Sequence, residues 1–120
     1  MKFSITTGRL QALVAILGAA GVLAFAPAAH AAVDADAAKA LAKKNDCFKC
    51  HAIDKEKKGP SYKKISAKYK GKADGEEKVL KNMTTGPKVK LDDGTEEEHK
   101  IINTKDAAAL KNLSDWILSQ

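Results

Sequence analysis

Cys47-Phe48-Lys49-Cys50-His51 decides how this chain is read. Two cysteines three positions apart, with a histidine directly after the second, form the attachment pattern of a c-type haem. Two thiols can add across the two vinyl groups of one porphyrin, and the short turn between them sets their separation. The next residue then lies under the iron, where an imidazole nitrogen can bind it. The same residues have other readings. A disulfide redox motif belongs in a βαβ pattern, which the chain does not show. A zinc site built with His51 and His99 would need adjacent Cys50 and His51 as two corners of one tetrahedron. A structural disulfide closing so short a loop would remove little chain entropy. The expectation is therefore one haem c, attached through Cys47 and Cys50, with His51 as an iron ligand.

The region upstream agrees with that chemistry. Lys2 and Arg9 precede an apolar run from Leu10 to Phe25, and Ala29-His30-Ala31 offers an A-x-A cleavage site. The run is too short for a confident membrane span, although an uncleaved anchor is the competing reading. Residues 1–31 are read as a cleaved secretory signal and residues 32–120 as the mature domain. The expected address is the periplasm, where haem is attached after export.

The mature part is one small domain whose own core would be marginal, and a covalently held porphyrin can serve as its centre. It holds two cysteines, both in the motif, and its possible iron ligands otherwise reduce to His51, His99 and Met83. Removing Lys2 and Arg9 leaves 19 basic residues, all lysine, against 15 acidic ones. The absence of arginine from this part argues against nucleic acid as the partner. Lysines near a haem edge can instead steer an acidic redox partner, or be an ordinary solvated surface.

Periodicity gives an all-α domain of about four short helices with one small hairpin. Ala38, Leu41 and Ala42 share a face over 34–45, and Ser61 caps a helix running to Tyr69 and closed by Gly71. Asp74 with Glu77 resembles a capping box that opens a helix through Val79, Leu80 and Met83, stopped at Gly86-Pro87. Val89 and Leu91 alternate with lysines ahead of Asp93-Gly94, so a hairpin is expected near 88–97. Thr104 is the expected cap of a last helix striped by Leu110, Leu113, Trp116 and Ile117, with Asp106 in its first turn.

With these residues in place the chain resembles the small class I c-type cytochromes, short monohaem electron carriers of the bacterial periplasm. The likeness runs from about Ala35 to Gln120. Beyond the haem motif it includes Ala52-Ile53-Asp54, Gly59-Pro60-Ser61-Tyr62-Lys63 and Leu113-Ser114-Asp115-Trp116-Ile117-Leu118-Ser119. The resemblance implies crossed first and last helices, thioethers at Cys47 and Cys50, and His51 on the proximal side of the iron. It also implies the Pro60 carbonyl as acceptor for the His51 ring N–H. Trp116 is expected to pack, with contact to a haem propionate as the other option.

The departure lies at the sixth ligand. Family members place a Met, usually followed by Pro, in the loop before the last helix, and this loop has none. The corresponding position, 17 residues before Trp116, is His99. Met83 stands on a helical stripe, where core filling is its ordinary role. Ligation by His51 and His99 is the favoured expectation. Ligation by His51 and Met83 is the alternative, and an open sixth site is a third. The implied function is transfer of one electron through the haem edge by a monomeric carrier docking with redox partners, without a substrate at iron. A gas-binding sensor with a displaceable distal ligand is the rival class. An enzyme is not expected, since no distal arginine and no further histidine stand ready for acid–base work. Protein recovered from the periplasm is expected to begin at about Ala32 and to carry one haem, which intact-mass measurement and N-terminal sequencing check; a chain retaining residues 1–31 would overturn the signal reading.

Overall fold

A computed structural model describes residues 31–120. The export signal read over residues 1–31 lies, but for Ala31, outside them. The described residues form α1 (Ala35–Lys44), α2 (Cys47–Cys50), α3 (Tyr62–Tyr69), α4 (Gly75–Thr85), β1 (Lys88–Lys90), β2 (Glu96–Glu98) and α5 (Ala107–Leu118). This is the mostly helical domain with one hairpin that the periodicity implies. The fifth helix is the single turn α2, inside the Cys-x-x-Cys motif.

Helix α1 begins where the Asp34 carboxylate accepts from Ala37 N at 2.9 Å. Asp36 in its first turn and Lys43 and Lys44 in its last complement the helix dipole. Its buried face is Ala38 and Ala42, side chains small enough to let α5 lie close. Helix α3 starts at Ser61, whose hydroxyl accepts from Lys64 N at 3.1 Å as expected.

Two caps differ from the sequence reading. Asp74 makes no side-chain cap bond, because its backbone (φ −106, ψ 9) is not extended. The side chain therefore does not turn back onto the free N–H groups. Its carboxylate pairs with Lys78 at 2.6 Å instead. At α5 the cap is Asp106 and not Thr104. One Asp106 carboxylate oxygen accepts from Ala108 N and Ala109 N, both at 3.0 Å. A full negative charge that satisfies two free N–H groups at the positive end of a helix outcompetes a hydroxyl placed two residues too early. The Thr104 hydroxyl accepts from Asp106 N at 3.1 Å and steadies the approach.

The hairpin pairs Lys88 with Glu98, Val89 with Glu97 and Lys90 with Glu96, antiparallel. Opposite charges thus face each other at both outer pairs. The Asp93-Gly94 turn expected from the sequence is present, with Gly94 at φ +86 and the Asp93 carboxylate accepting from Thr95 N at 2.9 Å.

Helices α1, α3 and α4 all pack on α5, and α1 also touches α2. Leu113, Trp116 and Ile117 of α5 meet Ala38, Ala42, Tyr62, Val79, Met83 and Ile102 in one core. Long-range polar bonds fasten this frame. The Asn112 amide accepts from Asp34 N and donates to the Asp34 carbonyl, each at 2.8 Å. The Ser66 hydroxyl donates to the Leu118 carbonyl at 2.7 Å. Among the described residues no helix is long and apolar enough to cross a membrane. Asn112→Ala removes both bonds between α5 and the start of α1. It is expected to lower unfolding stability by about 1–2 kcal/mol while leaving the haem absorption spectrum unchanged, measured by denaturant titration followed at the haem and by far-UV circular dichroism.

Candidate functional site

The haem motif starts from an unusual backbone. Asp46 takes a left-handed conformation, φ +60, directly before Cys47, a region that Asp tolerates better than most residues. From there one helical turn runs through α2, and His51 N bonds the Cys47 carbonyl at 2.9 Å. That turn brings Cys47 and Cys50 to one side, half-buried and unbridged. The loop after it folds back on itself: Gly59 N bonds the Cys50 carbonyl at 2.9 Å, and Tyr62 N bonds the Ala52 carbonyl at 2.9 Å.

This fold-back orients His51. Its Nδ1 lies 2.7 Å from the Pro60 carbonyl oxygen. A carbonyl only accepts, so Nδ1 carries the proton and Nε2 keeps a free lone pair. The sequence reading anticipated this acceptor through the family resemblance. Burial is the main cause that lowers the His51 pKa below its ordinary value; the Pro60 bond opposes it and the charge of His99 adds to it. The ring is thus held neutral, as a metal ligand requires. Tyr62 stacks on it, centres 5.4 Å apart at 22°. Tyr62 also meets Trp116 edge-on at 5.2 Å, and Phe48 meets both. Trp116 is buried in this aromatic cluster, the packing role expected for it. Burial, followed by the charge of Cys47, raises the Tyr62 phenol well above its usual range, and burial raises the Cys47 thiol.

His99 leaves the end of β2 and faces the same space. Its backbone N–H bonds the Pro87 carbonyl at 2.9 Å, and its Nδ1 lies 2.9 Å from the Lys100 carbonyl oxygen. Here too Nδ1 is the donor, so Nε2 is the ring nitrogen left without a carbonyl partner. The His51 and His99 ring centres are 6.0 Å apart at 44°. Between them opens a cavity of about 500 Å³. Its lining brings Cys47, Cys50, His51, Pro60 and Tyr62 together with Val89, Leu91, Glu97, Glu98 and His99. Apolar lining comes from Ile65, Val79, Met83, Ile102, Leu113 and Ile117, and charged lining includes Lys64, Lys68, Lys90 and Lys100. Met83 is therefore both a core residue and a lining residue.

The arrangement suits a haem on its own chemistry. Two imidazoles that shared one metal would have ring centres about 6.2 Å apart, from a metal–nitrogen bond of about 2 Å and a nitrogen-to-centre distance of about 1.1 Å. The cavity also has the apolar lining and two thiols on one side that a covalently held porphyrin needs. Among the described residues no group of three or more His, Cys, Asp and Glu is gathered as for a bare metal ion.

The cytochrome c family model matches residues 35–120. The chain belongs to the cytochrome c family. This cytochrome is 36% identical over 103 residues to cytochrome c-552 of Nitrosomonas europaea, covering 86% of its own length and 93% of that protein. It is 39% identical over 46 residues to cytochrome c-551 of Pseudomonas aeruginosa, covering 38% of this chain and 44% of that one. Among solved structures it is similar to the class 1 cytochrome MtoD from Sideroxydans lithotrophicus ES-1. That match has 63% identity and a TM-score of 0.70, covering 73% of this chain and 97% of that one. The Nitrosomonas europaea cytochrome c552 structure matches at 31% identity and TM-score 0.53, covering 68% and 96%. The cytochrome is thus a small class I c-type protein with one covalently attached haem, and Cys47 and Cys50 fit the attachment motif.

Two residues of the site escaped the sequence reading. Gly59 was legible only as half of a Gly-Pro turn. A Cβ there would stand 3.0 Å from His51 Cε1 and 3.3 Å from Nδ1. Gly86, legible as a helix stop, has φ +60, and a Cβ there would lie 3.0 Å from the His99 carbonyl oxygen. Each glycine makes room for one of the two histidine-bearing segments. Gly59→Ala is expected to tilt the His51 ring off the Pro60 carbonyl, costing about 1–3 kcal/mol of stability and shifting the EPR signal of the oxidised protein. An unchanged signal would show that the ring has room to spare.

Proposed function

We propose that this cytochrome is a periplasmic one-electron carrier whose haem iron is bound by His51 on one face and His99 on the other. The 6.0 Å separation of the two imidazole centres carries the reading. It is supported by the matching Nδ1 bonds to the Pro60 and Lys100 carbonyls, which leave both Nε2 atoms free. Ligating histidines characteristically donate their other ring N–H in this way. Met83 remains a core residue under this reading, beside Val79 and Ile102.

The bound haem supplies reversible uptake of one electron at its iron. The chain's residues set the terms of that exchange. Imidazole in place of a thioether favours the ferric state, since Met is the ligand that raises the potential. Glu97 and Glu98 line the cavity, and Lys64, Lys68, Lys90 and Lys100 line it too, so its carboxylates and ammonium groups offset one another. The aromatic packing of Tyr62, Phe48 and Trp116 stiffens the His51 side of the cavity. Cys47, Cys50, His51, Pro60 and His99 are the residues assigned to the cofactor, through the two thioethers, the two axial bonds and the carbonyl that orients His51. Residues 1–31 act as the export signal and residues 32–120 as the working monomer. It meets its redox partners at the haem edge, where lysines favour an acidic surface, and it performs no catalysis of its own.

His99→Ala is expected to turn the oxidised protein high-spin or to leave its sixth position open to carbon monoxide in the reduced form. Met83→Ala is expected to keep the low-spin bis-imidazole EPR signal and to lose about 2–4 kcal/mol of stability as a core deletion. The opposite pair of spectra would transfer the sixth ligand to Met83, and a far-red sulfur-to-iron band in the unmutated protein would do the same.

A further inference from the structure

We propose that Asn45 and Asp46 are positioning residues: they latch the segment that carries His99 onto the haem-attachment turn and so hold the sixth position closed. The proposal rests on the bis-histidine reading. It concerns two residues that line the cavity beside Cys47 but are not among those assigned to the thioethers or the iron.

Asn45 and Asp46 immediately precede Cys47, and between them they make two bonds to the stretch just after His99. The Asn45 side-chain oxygen accepts from Asn103 N at 3.0 Å, while its amide nitrogen donates to the Leu41 carbonyl at 2.9 Å. The side chain is thereby pinned to the end of α1 and offers its oxygen in a fixed direction. Asp46 divides its carboxylate between two lysines, one oxygen to Lys49 at 3.0 Å and the other to Lys100 at 3.2 Å. Lys100 is also the residue whose carbonyl orients the His99 ring. One residue thus meets Asp46 through its side chain and His99 through its backbone.

The rest of the fold holds this segment from the side of α4 and the core, where Ile102 is buried. His99 N bonds the Pro87 carbonyl, and Ile102 N bonds the Met83 carbonyl at 2.8 Å, both at the end of α4. The hairpin leading into His99 has three-residue strands, and every residue of β2 is exposed. Such a hairpin has no core of its own with which to fix a ligand. Asn45 and Asp46 supply the second side, from the element that also carries the thioether cysteines. Asp46 is, among the described residues, the one non-glycine with positive φ. Strained backbone of this kind persists where surrounding contacts over-determine it, and functional sites are where it collects.

The two bonds differ in a way that an experiment can separate. The Asn45 bond is neutral and indifferent to salt. The Asp46–Lys100 pair is solvent-exposed, so its contribution is small and screened by ions. Cyanide binding to the ferric haem-loaded protein requires the sixth position to open, so its rate, followed by stopped-flow absorbance, reads the latch. Asn45→Ala is expected to bind cyanide about tenfold faster, while Asn45→Asp, which keeps the acceptor oxygen but loses the amide donor to the Leu41 carbonyl, is expected to fall between Asn45→Ala and the unmutated rate. Asp46→Asn is expected to react about two- to fivefold faster at low ionic strength and at the unmutated rate in about 1 M salt. Asn112→Ala, which cuts the tie between α1 and α5, is the control: stability falls and the cyanide rate does not rise.

If Asn45→Ala gains no more rate than Asn112→Ala at a comparable loss of stability, Asn45 is a structural residue and the latch is overturned. Should Asn45→Ala fail to fold, the salt dependence of exposed Asp46→Asn decides, and a rate equal to the unmutated one at all salt concentrations overturns the proposal. The EPR signal of the unmutated protein keeps the two readings apart. A bis-imidazole signal with unaltered variant rates defeats the latch alone, whereas an imidazole–thioether signal defeats the ligand assignment and the latch with it.

Discussion

The 2.7 Å bond from the His51 ring to the Pro60 carbonyl is the constraint around which the domain is arranged. For Pro60 to reach the ring, the loop after the motif must double back, and the Gly59 N–H to Cys50 carbonyl bond closes that return. A side chain at position 59 would crowd the ring, its Cβ standing 3.0 Å from His51 Cε1. The same return delivers Tyr62 onto the ring face, and Tyr62 opens α3. The attachment motif, its loop and the helix beyond it are therefore one rigid unit. That unit is what keeps the imidazole neutral, oriented and partly shielded from water.

Stability and function are divided between two ends of the fold. Helices α1 and α5 pack through the small side chains of Ala38 and Ala42 and are tied by Asn112 to Asp34, the cap of α1. The cavity side is made mostly of connections: the 51–61 loop, the hairpin and the 99–104 segment. Loops positioned by a rigid frame are the ordinary place for function. The hairpin in particular holds itself by cross-strand Lys–Glu pairs and not by buried apolar surface. Its position depends on what it is fastened to, which gives the bonds at Pro87, Met83, Asn45 and Asp46 their importance.

Most elements were legible in the chain because they obey local rules. The alanine stripe of α1, the Ser61 cap of α3, the Gly86-Pro87 stop of α4 and the Asp93-Gly94 turn all stand where spacing puts them. The two cap differences have a common cause. Asp74 and Thr104 carry side chains of the right kind, but capping depends on backbone angles and on competing neighbours. Lys78 takes the Asp74 carboxylate, and Asp106 lies two residues closer to the helix than Thr104. Gly59 and Gly86 were visible only as turn and stop residues. Their service to the histidines depends on what lies across space from each, and sequence carries no record of that.

The sequence by itself determined the chemistry: a Cys-x-x-Cys-His motif for one covalent haem, a family of small class I cytochromes, and a short list of side chains able to meet the iron. Those follow from residue identity and short spacing, because thioether attachment and the proximal bond are made within one turn of chain. Only the tertiary structure decided which distant residues face each other across the cavity. His51 and His99 are 48 positions apart, and their 6.0 Å approach is set by the fold-back at Gly59-Pro60, by the end of α4 and by the Asn45 bond to the distal segment. A distance between two loops is a property of everything packed beneath them.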